Sequence, residues 1–73
     1  MKLCKKWQDL GWEEIKGFYS ETYRRFHKGK TQIVCQNPGR TMWRAFQYDE
    51  LDFLTSEIEY PTISKALSSL NNP

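Results

Sequence analysis

The chain reads as a small α+β domain in the order α-β-β-β-α, a two-layer fold with a three-stranded antiparallel sheet and two helices on one of its faces. Three observations predict this. Apolar residues recur at helical spacing between residues 12 and 28, two β-branched and aromatic runs flank a Pro-Gly pair, and a short amphipathic stretch follows Pro61. A length of 73 residues with one even composition predicts a single small domain over 1–73.

Residues 1–11 are an N-terminal arm, with Leu3, Trp7 and Leu10 available as a turn of helix or as a cover over the core. A helix is predicted over 12–28. At about 100° per residue, Trp12, Ile15, Phe18, Tyr19, Thr22, Tyr23 and Phe26 share one arc of about 140°. Glu13, Glu14, Lys16, Gly17, Ser20, Glu21, Arg24, Arg25 and His27 take the other side. Gly11 suits the N-cap, the acids lie at the start, the basic residues lie at the end, and Gly29 follows. A strand reading groups Arg24 with Phe26 and Arg25 with Tyr23, a poorer separation of polar from apolar.

Strands are predicted at 31–36, 41–48 and 53–60. The first two are joined through Asn37-Pro38-Gly39-Arg40, with proline and glycine placed for a type II turn. Alternation sets Trp43 and Ala45 against the helices, with Ile33 and Cys35 beside them. Met42, Arg44, Phe46 and Tyr48 then share the second face. In the third strand Leu54, Ile58 and Tyr60 lie on one side, while Glu57 and Glu59 suit a solvent-facing edge. A helix over 62–70 starts at the N-cap candidate Thr62 and carries Ile63, Ala66, Leu67 and Leu70 on one stripe.

Composition excludes several function classes. The apolar share of 38% and charged share of 27% belong to a folded soluble protein, not a disordered one. No stretch reaches the roughly 18 apolar residues of a membrane span, and the basic start leads into Trp7-Gln8-Asp9 without an apolar secretory core. With two cysteines, too few for a disulfide scaffold, the expected setting is the cytoplasm. His27, Cys4 and Cys35 are too few soft ligands for a zinc site. His27 has no paired acid, Cys35 has no activating base, and the glycines are scattered, so no enzyme activity, cofactor or metal is expected.

A binding role is left. Residues 1–48 hold ten Lys/Arg against four acids, and residues 49–73 hold one against five. Arg24, Arg25, Lys28, Lys30, Arg40 and Arg44 would form a basic surface for the phosphates of DNA or RNA, with Phe46 and Tyr48 beside Arg44 as a stacking platform. The order α-β-β-β-α is similar to that of double-stranded RNA-binding domains. That family's second helix opens on a lysine cluster, where Thr62-Ile63-Ser64-Lys65 offers one lysine, so the similarity is one of element order. The alternative is a protein-interaction module, an adaptor or inhibitor, whose contact residues are Met42, Arg44, Phe46 and Tyr48. Neither reading involves a membrane or a small-molecule substrate.

Overall fold

The computed structural model describes residues 3–16, 21–36 and 39–71. A five-residue helix, α1 (Lys5–Asp9), leads into strands β1 (Glu13–Glu14), β2 (Glu21–His27), β3 (Lys30–Gln36), β4 (Trp43–Tyr48) and β5 (Leu54–Tyr60), and helix α2 (Ile63–Asn71) ends the described chain. Among the described residues the strands form one antiparallel meander in the order β1-β2-β3-β4-β5. The three-stranded sheet expected from the sequence is thus a five-stranded one, with a short helix at each end. The α-β-β-β-α order falls with it, and so does the likeness to double-stranded RNA-binding domains.

The correction lies in the predicted helix over 12–28. Its first part is β1 and its last part is β2, paired Glu13 to Arg24 and Glu14 to Tyr23. Gly17, Phe18, Tyr19 and Ser20, and the turn residues Asn37 and Pro38, lie outside the described residues. In β2 the division that looked poor is the one the chain adopts: Tyr23 and Arg25 are buried, and Phe26 is exposed. Gly11 is not a helix N-cap but the turn after α1. Its N–H donates to the Gln8 carbonyl at 3.0 Å, and its φ of +98° is a conformation that a side chain resists. At the far end of β2, Lys28 (φ 53°) and Gly29 (φ 78°) form a two-residue hairpin loop with both central residues at positive φ, as type I′ turns require.

The helices share the inner face of the sheet. Leu3, Trp7, Trp12, Tyr23, Val34, Trp43, Ala45, Ala66 and Leu67 form the core, with Tyr60, Ile63 and Leu70 packed against it. All three tryptophans are in it, and the Tyr23 and Trp43 rings stack at 6.4 Å. Such short helices are not stable alone, so burial of these side chains holds them. At α1 the Cys4 carbonyl accepts from the Trp7 and Gln8 N–H groups at 3.1 and 3.2 Å, and at α2 the Thr62 hydroxyl accepts from the Lys65 N–H at 3.2 Å.

Two further expectations shift. Trp43 and Ala45 do face the core, but the register sets Val34 opposite Ala45 and Cys35 opposite Arg44, so Ile33 and Cys35 belong to the outer face. A bulge does the same to Leu54. The register slips between Gln47 and Tyr48, passing over Thr55, and pairs Leu54 with Tyr48 on the outer face, while Ile58 stays inward opposite Ala45.

Candidate functional site

The six basic residues expected to form one surface are dispersed. Arg25 lies inside the protein. Its Nε donates to Gln32 Oε1 at 2.8 Å, and its two terminal nitrogens donate to the carbonyls of Leu10 and Leu70 at 3.2 and 3.1 Å. Leu10 ends α1 and Leu70 lies in the last turn of α2, so the negative ends of two helices meet this guanidinium. The Trp12 ring covers it at 5.2 Å. Gln32 extends the network, donating from Nε2 to Gln47 Oε1 and to the Leu70 carbonyl, each at 3.1 Å. Burial holds the Arg25 pKa below its ordinary value.

Arg24 and Arg44 share the outer face of the sheet, each beside acids. Arg24 donates to Glu13 Oε1 at 3.1 Å, and Arg44 stands 3.5 Å from Glu57 and 3.8 Å from Glu59. Lys28 and Lys30 lie at the β2–β3 turn, beside the next hairpin: a Cβ on Gly29 would stand 3.5 Å from Glu50. Arg40 precedes β4 at the opposite end, where it lines a small hollow of about 60 Å³ with Met42, Arg44 and Glu59. Phe46 and Tyr48 are half-buried on the outer face, and Met42 is exposed just before it.

The groups considered for chemistry are set apart as well. His27 is exposed and held below its ordinary pKa by local desolvation first and then by Arg25 and Lys28. Cys35 is a free thiol whose pKa is pushed up, chiefly by burial, against a lowering from Arg44 and with a further rise from Glu57. A thiol so placed is a poor nucleophile.

Sequence reasoning missed a different concentration of side chains. Of the seven large exposed hydrophobics among the described residues, Leu51, Phe53, Leu54 and Ile58 fall in one stretch, the β4–β5 turn and β5 itself; they are 77%, 67%, 49% and 50% exposed. The turn is tightly built. Asp49 Oδ1 accepts from the Leu51 and Phe53 N–H groups, both at 2.9 Å, the Asp49 N–H donates to the Phe53 carbonyl at 2.8 Å, and the Asp52 N–H donates to the Asp49 carbonyl at 3.0 Å. Exposure of Leu51 and Phe53 is therefore set by hydrogen bonds within the loop. The legible signal is Asp49-Glu50-Leu51-Asp52-Phe53-Leu54 itself, a turn in which apolar residues alternate with acids.

β5 then runs seven residues along the sheet's edge, paired with β4 alone among the described residues. No protein-family model, curated protein or solved structure matches the chain.

Proposed function

We propose that this chain is a non-catalytic protein-interaction module whose contact surface is the β4–β5 turn and the β5 edge. The observation that carries this is the clustering of Leu51, Phe53, Leu54 and Ile58, exposed by about half or more, along one edge of the sheet. Apolar and aromatic side chains held outward on a rigid turn are what interface hot spots use. Electrostatics favour this reading over nucleic acid. A phosphate backbone needs several unopposed cations on one surface, whereas Arg25 is buried and Arg24 and Arg44 stand against Glu13, Glu57 and Glu59. The proposed setting is the cytoplasm, where Cys4 and Cys35 stay as the free thiols they are here. No helix among the described residues is long and apolar enough to cross a membrane.

Photo-crosslinking in the producing cells tests the proposal, with a photoreactive residue replacing Phe53 and, as control, exposed Lys5 of α1. The expected result is one discrete protein adduct from position 53 and none from position 5. The partner so identified, once purified, should bind the native chain and lose binding to Leu51→Ser and Phe53→Ser proteins, whose melting is unchanged. Duplex and single-stranded DNA and RNA should not shift at tens of micromolar protein in about 50 mM salt. Equal adducts from both positions, or a nucleic-acid shift, would overturn the reading.

A further inference from the structure

β5 is the longer of the two edge strands, seven residues against two in β1, and three features of its surroundings describe what fits along its open side. The first is the edge itself: seven residues long, exposed at five of them, with backbone donors and acceptors on the side away from β4. The second is a cleft of about 140 Å³ beside it on the inner face, floored by Ala45 and Gln47 and walled by Ile58, Tyr60, Ser69 and Leu70. It has room for one aliphatic side chain, and half of Ile58 stands uncovered at its rim. The third is charge. Glu57 and Glu59 project from the outer face, 3.5 and 3.8 Å from the Arg44 guanidinium and with Arg40 in the same hollow as Glu59, yet their side chains stay 41% and 54% exposed.

We infer that β5 accepts an extended segment of the partner protein as a sixth strand, with the alternation apolar-basic-apolar-basic-apolar. Added strands keep the period of two. Residues opposite Glu57 and Glu59 fall on the outer face, where lysine or arginine answers the carboxylates. Residues opposite Ser56, Ile58 and Tyr60 fall on the inner face, where an aliphatic side chain covers Ile58 and enters the cleft under α2. A second copy of the chain fits worse. Two-fold antiparallel pairing of β5 with itself, centred on Glu57, Ile58 or Glu59, sets glutamate against glutamate, and like charges directly opposite each other destabilise a sheet. The proposal rests on the β5 side being the protein contact, and it names the form in which the partner enters.

The test uses four synthetic peptides with a Φ-Arg-Φ-Arg-Φ centre, where Φ is alanine, valine, leucine or isoleucine. Each is titrated into the isotopically labelled full chain while amide shifts are followed. At least the valine or isoleucine peptide is expected to bind below about 1 mM and to shift amides of β5 and α2, leaving those of β1 still. Replacing both peptide arginines by glutamate should abolish this. In the double variant Glu57→Lys, Glu59→Lys, both positions being exposed, the arginine peptides should weaken by about tenfold or more and the glutamate peptides should bind instead. Overturning results are no binding by any of the four to folded protein, shifts confined to the outer face, or affinity indifferent to the charge swap. If the peptides fail while the Phe53 crosslink to a protein stands, the added strand is wrong and the contact surface is right. If both fail, the contact surface is wrong as well.

Discussion

The two edges of the sheet are finished in opposite ways. At one, β1 is two residues long, Glu13 is paired with Arg24 across the strands, and Trp12 beside it is buried against Arg25. At the other, β5 runs seven residues in the open, preceded by a turn that holds Leu51 and Phe53 outward. Both edges carry glutamates, but only the β5 edge joins them to a long run of free backbone and exposed apolar side chains. Short, charged edges discourage pairing, and long ones invite it. The difference separates the half of the molecule that supports the fold from the half that is available to a partner.

The largest expected effect lies on the closed side. Arg25→Met would take their Arg25 donor from the Leu10 carbonyl and Gln32 Oε1 and leave the Leu70 carbonyl with Gln32 Nε2 alone, at a cost of about 3 kcal/mol or more. Urea titration followed by tryptophan fluorescence should show a midpoint near zero denaturant, since a domain of this size has little stability to lose. A midpoint close to the native one would mean that the two helix ends do not depend on this guanidinium, and the closed side would lose its anchor.

Tyr23, also on that side, gives a pH dependence. Burial, then the Glu21 carboxylate that its hydroxyl meets at 3.2 Å, then Glu14, push its pKa from 10.0 up to about 12. The folded state favours the protonated phenol, so this contribution to stability is complete below pH 10 and disappears as pH rises through about 12. Melting temperatures recorded across that window should fall, and Tyr23→Phe should flatten the fall. An equal decline in the variant would assign the alkaline transition to other groups.

On the open side effects on stability should be smaller. Asp49→Ala removes the acceptor for the Leu51 and Phe53 N–H groups, at about 1 kcal/mol in thermal unfolding, because both amides can turn to water. Binding of the crosslinked partner should suffer more than folding does, since the turn would no longer hold Leu51 and Phe53 in place. Loss of binding in proportion to loss of stability alone would remove the turn from the contact.

Much of the fold could be read in the sequence where residue type and environment agree. The β-branched and aromatic runs are strands β3, β4 and β5, and the stripe Ile63, Ala66, Leu67 and Leu70 is α2. It failed at β2 for a specific reason. Arg25 faces inward and Phe26 outward, so any reading that keeps arginine in water and phenylalanine in the core prefers the helix arc. Arg25 can be buried because carbonyls from α1 and α2, distant in sequence, converge on it, and no local pattern carries that information. β3 misled in the same way, with Gln32 inside beside Arg25 and Ile33 outside. The candidate site was half legible. The acids Glu57 and Glu59 marked β5 as a solvent-facing edge, but the outward turn of Leu51 and Phe53 depends on the Asp49 side chain, and the flip of Leu54 depends on a bulge.

Residue-resolved amide hydrogen exchange on the free protein tests the unequal edges most directly. Amides of β3 and β4 should be protected where they are paired on either side, and those of β2 along β3 and, over the short paired stretch, along β1. Along β5 protection should alternate, with slow exchange where the N–H reaches β4 and fast exchange where it faces outward. The pattern should not change on dilution. Uniform slow exchange through 54–60 would contradict the account, because it would mean that the β5 edge is already covered in the free protein.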